Sequence, residues 1–157
     1  MKFVGVIKFL FLGWLGYLTV LQLQGNNLFF IHNIDLVFHE AGHTIFYIFG
    51  KFISILGGSL LQLIIPAILA YYFYTRNEKF SLYVVLWWLG ENFRDVAIYA
   101  GDASTQKLPL IADGLIHDWN YILKTLHLLQ FDWVFEGVFL TIAFALMGGS
   151  LIFAGYN

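Results

Sequence analysis

Three stretches of the chain carry no formal charge: residues 9–34, 52–75 and 137–157, which run for 26, 24 and 21 residues. About 20 apolar residues in a helix cross the ~30 Å hydrocarbon core of a bilayer, so each stretch is long enough to span one. Charge is scarce elsewhere too. A soluble domain carries it on about a quarter of its residues, whereas here 8 basic and 10 acidic residues serve a chain of 157. With a mean hydropathy of +0.76, the composition excludes a soluble surface and points to a membrane protein surrounded by lipid. A net charge of -2 without a Lys/Arg cluster excludes nucleic acid as a partner.

The apolar runs and their breaks predict an all-α polytopic helix bundle of about five transmembrane helices, forming one domain over residues 1–157. The spans are expected at roughly 3–24, 28–49, 53–75, 80–101 and 133–156. Lys2 and Lys8 before an apolar stretch resemble a secretory signal. The bulky run continues to Leu23, however, and no small-residue cleavage pattern follows before Gly25, so a retained first helix is expected. Residues 117–130 place apolar side chains at 119, 122, 123, 126 and 129. That is helical spacing too short to span, and it predicts an interfacial or bundle-packed helix beginning near Asp118. With five spans, Lys2, Lys8, Lys51, Lys107 and Lys124 fall on one side and Arg76 and Lys79 on the other. The bias predicts a cytoplasmic N-terminus, in a cell (inner) membrane.

The second span contains His39-Glu40-Ala41-Gly42-His43, an HExxH pattern within an otherwise apolar segment. Side chains at i and i+4 leave a helix on one face, so both imidazoles can reach one Zn²⁺ while Glu40 stands about 100° round, beside a metal-bound water. A zinc-bound water loses its proton near neutrality, and the carboxylate is placed to take it as general base. The chain has no cysteine, so any metal must rest on His, Asp or Glu. Ionisable groups deep in a membrane are costly and mark functional sites. The bland alternative is a polar network that only holds helices together. Asp35, one turn before His39, reads either as its hydrogen-bond partner, fixing the ligand tautomer, or as an interfacial aspartate.

A catalytic zinc has three protein ligands and an open position, and the third must come from further along the chain. His117, followed by Asp118, ranks first because a neutral imidazole beside a carboxylate is a good zinc donor. Asp118 reads equally as a helix N-cap, with Trp119 an interfacial anchor. Asp102 ranks second. It ends a polar stripe of Asn92, Asp95, Tyr99 and Asp102 on the fourth span, beside which Glu91 and Arg94 stand three residues apart. Such a stripe faces the bundle interior or a water-filled cavity. Asp113, in the turn dipeptide Asp113-Gly114, ranks third. His32 and His127 are not expected as ligands.

HEAGH in a membrane helix, followed by Gly57-Gly58-Ser59 and by Gln62 and Pro66 in the next span, resembles the site-2-protease-type (M50-like) intramembrane zinc metalloproteases over residues 28 to about 70. The resemblance implies a peptidase acting on a membrane-associated or transmembrane peptide. It also implies a glycine-containing re-entrant segment after the HExxH helix, for which Lys51 to Gly58 is the counterpart, and an aspartate ligand from an Asp-Gly motif, for which Asp113-Gly114 is a loose match. In this chain the motif is not embedded in an apolar span. Read from the residues alone, Gly57-Gly58 either breaks the helix or permits close helix packing. Two other functions fit the composition: a zinc-dependent lipid amide or ester hydrolase using the same water, and a non-enzymatic membrane metal-binding or transport protein with Glu40, Asp95 and Asp102 as ligands.

Overall fold

A computed structural model describes residues 2–26, 28–110, 112 and 114–156. Every regular element among them is helical: α1 Lys2–Leu23, α2 Phe29–Ile45, α3 Lys51–Thr75, α4 Lys79–Gly101, α5 Asp118–Thr125 and α6 Asp132–Tyr156. Single 3-10 turns follow α2 (Phe46–Phe49) and precede α6 (Leu129–Phe131). Three segments, Gly5–Leu23, Lys51–Thr75 and Leu129–Tyr156, are long and apolar enough to cross a membrane. Large apolar side chains on them, such as Phe9, Ile68 and Ile152, face outward, as expected where the solvent is lipid rather than water. The 17-residue α2 and α4, which carries Glu91, Arg94 and Asp95, stand outside that group.

The inner helix is α4, with Trp87, Gly90, Glu91, Asn92, Arg94, Val96, Ala97 and Ala100 all buried. It packs along α6, and Gly90 permits a close approach: a Cβ there would lie 2.8 Å from the Ala143 carbonyl oxygen and from Met147 Cγ. Small residues allow such approach where lipid supplies no hydrophobic drive between helices. Leu15 and Leu18 of α1 close one end of this pair over Trp87, Ala143 and Met147. At the other end Trp119 and Leu123 of α5 pack on Val96, Ala100 and Ala103. The short helix is therefore seated in the bundle, and it ends at Thr125, earlier than the apolar spacing to Leu129 suggested. His127 lies beyond it with φ 58 and exposed, in the left-handed conformation that stops a helix.

Between α2 and α3 the chain turns at Gly50, whose φ of 90 is open to glycine. The break is there and not at Gly57-Gly58, which lie inside the continuous α3. Of the two readings of this pair, close packing is the one the fold uses, and the span from Lys51 to Gly58 is helix rather than a re-entrant loop. A Cβ on Gly42 would run into the Gly57 carbonyl, and one on Gly57 would lie 2.7 Å from Phe46 Cβ. This crossing brings the HExxH face of α2 against the N-terminal half of α3.

Candidate metal centre

His39 and His43 project from one face of α2, as i and i+4 must, and Asp118 of α5 closes on them from a point 79 residues beyond His39. One donor atom from each of the three lies within 4.8 Å of the others. Asp118 Oδ2 is 2.8 Å from His39 Nε2 and 3.2 Å from His43 Nε2.

The other ring nitrogens are already committed. His39 Nδ1 lies 3.1 Å from Gln62 Oε1, and His43 Nδ1 2.9 Å from the Ser54 carbonyl oxygen. Both partners only accept, so each Nδ1 carries its proton and donates it, which leaves each Nε2 as a lone pair. Two imidazole lone pairs and a carboxylate thus converge on one point, an arrangement that a cation satisfies. Donors ~2.0–2.1 Å from a tetrahedral ion lie ~3.3 Å apart, close to the spacings found. The residues fit a metal ion. Gly58 makes the room: a Cβ there would sit 2.6 Å from His39 Nε2 and 2.8 Å from His43 Cε1.

A chain of hydrogen bonds holds the ligands. Gln62 Nε2 donates to Asp95 Oδ2 at 2.8 Å, and Asp95 Oδ1 lies 2.8 Å from His32 Nδ1. The His39 ring is thereby tied through α3 and α4 to a partly exposed histidine back on α2. Ser54 Oγ donates to the His43 carbonyl. Asp118 is fixed by its own backbone N–H, which donates to Tyr99 Oη at 3.0 Å, and the neighbouring Trp119 indole donates to Ser59 Oγ at 3.1 Å.

Of the residues singled out in the sequence, His39 and His43 come together, and Glu40 lines the same cavity. That cavity, of about 870 Å³, is bounded by Leu36, Tyr99, Ile98 and the extended connection through Leu108–Leu110 and Gly114–Ile116. Glu40 is exposed to it.

His117, ranked first as third ligand, is not with them. It caps α5: its Nδ1 accepts from the Asn120 N–H, while Nε2 faces Asp102 Oδ2 at 3.3 Å, so both nitrogens are spent. The adjacent residue, Asp118, takes the place expected of it, because the first turn of α5 points Asp118 and not His117 at α2.

Asp102, ranked second, is the C-cap of α4 and organises the connection that follows. It accepts from the Thr105 hydroxyl and from the backbone N–H groups of Lys107 and Leu108, both at 2.9 Å. Burial opposes its charge, but these bonds prevail and hold its carboxyl low. Asp113 lies outside the described residues. Asp35, read either as a partner of His39 or as an interfacial aspartate, is neither: it is buried and accepts from the Trp88 indole at 2.8 Å, and Gln62 orients His39. Neither Gln62 nor Ser54 was marked as a ligand support in the sequence. The one available signal was Gln62, a buried amide on an otherwise apolar helix.

No protein-family model matches this chain, and neither curated proteins nor solved structures contain a match to it. Its chemistry therefore rests on the geometry of the site.

Proposed function

We propose that the protein is a membrane-embedded zinc-dependent hydrolase, an intramembrane metallopeptidase resembling the site-2-protease type, with His39, His43 and Asp118 as ligands. The observation that carries this is the convergence of two Nε2 lone pairs and one carboxylate beside a cavity that also holds Glu40. Bound zinc would supply Lewis acidity, lowering the pKa of a water toward ~7 and polarising a carbonyl. Glu40 accepts a proton from water at its carboxylate and passes it to the leaving nitrogen. Gln62 and Ser54 keep the imidazoles in the donor tautomer. Tyr99 fixes the turn that carries Asp118.

In the membrane, α2 and α4 join the three long apolar helices as inner crossings, giving five, with the N-terminus cytoplasmic in the cell (inner) membrane. Their costly groups support this placement, because inside the bundle Asp35 meets Glu91 and His39 is linked through Gln62 to Asp95. The connection through Leu108–Leu110 walls the cavity, and an unwound segment of a membrane-associated peptide can lie beside it.

A lipid amide or ester is the second substrate reading, favoured by the apolar side chains of that same wall. The purely metal-binding reading is disfavoured by Glu40, which stands outside the ligand group in the general-base position of the motif.

The test is incubation of zinc-loaded protein in nanodiscs with a transmembrane peptide and, separately, with lipid amides, with products read by mass spectrometry. Peptide fragments formed by the wild type and not by Glu40→Gln are expected. Lipid products alone would transfer the assignment to the second reading, and equal turnover by Glu40→Gln would end both.

A further inference from the structure

The cavity beside His39 and His43 is short of hydrogen-bond donors. Of the polar side chains that line it, Ser54 Oγ is spent on the His43 carbonyl and Gln62 Nε2 on Asp95, while the carboxylates of Glu40 and Asp95 only accept. His32 stands two turns along α2 from His39, ~10 Å away at ~1.5 Å per residue, with its Nδ1 held against Asp95. The hydroxyl of Tyr99 is different. It accepts the Asp118 N–H at 3.0 Å, and an O–H that accepts still has its own proton to give. Among the described residues that proton has no acceptor. The ring is fixed on both sides: its centroid lies 5.9 Å from that of His39, edge on, and 4.3 Å from that of His117. Asp118 bridges the hydroxyl and the metal group, for its N–H reaches the one and its carboxylate faces both His39 Nε2 and His43 Nε2.

We infer that Tyr99 is a catalytic residue of this site, an inference that rests on the hydrolase reading: its hydroxyl donates a hydrogen bond to the carbonyl oxygen of the scissile bond as that oxygen gains negative charge. Addition of water turns a carbonyl oxygen from a weak acceptor into an oxyanion. A donor held in place beforehand stabilises the second more than the first, and the barrier falls. Tyr99 is held in this way, because the Asp118 N–H takes one lone pair of the phenol oxygen and the proton is turned away from that amide. The hydroxyl keeps its proton throughout. Glu40 still carries the proton of water to the leaving nitrogen, so the proton balance of the reaction is unchanged. A phenol also suits a cavity walled by Leu36, Ile98 and Leu110, since it donates without bringing a charge that burial would penalise. Through Asp118 the group that meets the carbonyl and the group that holds the metal are fixed to each other.

The test compares full-length, zinc-loaded wild type in nanodiscs with Tyr99→Phe, which removes the oxygen and leaves the ring. The variant should fold with zinc still near one per chain, since the Asp118 N–H is one of the amides that a helix start leaves free. Two inhibitors built on one peptide are titrated by calorimetry. A phosphinate carries an oxygen that stands for the charged carbonyl oxygen, whereas a thiol meets the metal through sulfur and offers the phenol nothing. Tyr99→Phe should weaken the phosphinate ~10²-fold and leave the thiol unchanged, and kcat should fall ~10²–10³-fold with KM little altered. Phosphinate affinity equal in the two proteins overturns the inference. Both inhibitors weakened alike also overturn it, because the hydroxyl then only holds Asp118. Tyr99→4-aminophenylalanine returns an N–H donor to the end of the ring and should recover part of the lost affinity; no recovery counts as refutation. Binding is read without turnover. A wild type that grips the phosphinate through Tyr99 yet cleaves no peptide removes the peptidase assignment while the Tyr99 contact stands.

Discussion

Asp35 and His39 lie one turn apart on α2, yet they belong to polar clusters of opposite kind. Around His39, among the described residues, every ring nitrogen has a partner, the supporting shell runs through Gln62 and Asp95 to His32, and one wall opens on a cavity of about 870 Å³. Around Asp35, where the Trp88 indole donates to the carboxyl, Gln22 Oε1, Asp35 Oδ2, Glu91 Oε2 and Asn92 Oδ1 are buried with no hydrogen-bond donor among the described residues. A buried polar network with all its members satisfied is rigid, and one only partly satisfied is costly to bury. The His39 group, which could hold a metal ion, stands at the wall of that cavity, whereas the Asp35 cluster is buried away from it.

The comparison breaks most decisively at the ligands. His39→Ala or His43→Ala should reduce zinc from about one per chain to near zero by elemental analysis, since two protein donors do not retain a catalytic zinc. Glu91→Gln, on the same helices but in the other cluster, should leave zinc stoichiometry unchanged. Zinc lost in Glu91→Gln would mean that the two clusters are one.

Glu40→Gln should keep the metal and lower turnover by ~10²–10⁴-fold, the usual contribution of a positioned base. Zinc content and rate are measured on the same preparation. A smaller loss is expected one step out. Gln62→Leu deletes the acceptor that holds the His39 Nδ1–H, and zinc affinity should fall ~10–100-fold by competition with a chelator. If affinity is unchanged, the relay to Asp95 and His32 does not support the metal.

Gly58→Ala places a methyl group against both imidazoles and should displace zinc at a stability cost of ~1–3 kcal/mol. The matching change in the other region, Gly90→Ala, should lower the melting temperature by parting α4 from α6, with zinc retained.

The mildest effect is expected at Asp102, outside both clusters. Its folded-state carboxyl is held low, so it stabilises the connection after α4 at pH values above the ~3.9 of an unfolded aspartate. That contribution is lost as pH falls through the folded value. Asp102→Asn should remove this acid-side dependence and speed limited proteolysis between residues 103 and 116, as read by mass mapping of the first cuts.

How much of this was legible depends on the distance over which each feature is decided. The long apolar helices were, because a bilayer demands long apolar runs: α3 and α6 follow the charge-free stretches 52–75 and 137–157 to within about five residues, and α1 follows the expected span 3–24. The His39/His43 pair was legible because it is a property of one helix turn. The third ligand was not. The sequence placed His117 ahead of Asp118, since an imidazole is the better isolated donor. The choice is made by the angle at which α5 docks on α4, through Trp119, Leu123 and the Tyr99 hydroxyl, and that turns the first helical residue, not the cap, toward α2. Gly57-Gly58 was open between a break and a packing face for a similar reason, since its use depends on Gly42 of another helix. The stripe on α4 was read as facing inward, and Asn92, Asp95, Tyr99 and Asp102 each serve a different partner there.

The sequence by itself therefore determined what is local: three long apolar helices, the exclusion of a soluble surface and of cysteine ligands, and two imidazoles with a carboxylate between them on one turn. Tertiary structure decided what joins residues far apart in the chain: Asp118 brought to His39 and His43, Gln62 to His39, and Asp35 to Glu91. The physical reason is that helical spacing follows from backbone geometry within a few residues, whereas ligand sets depend on crossing angles and on which small residues let two helices meet.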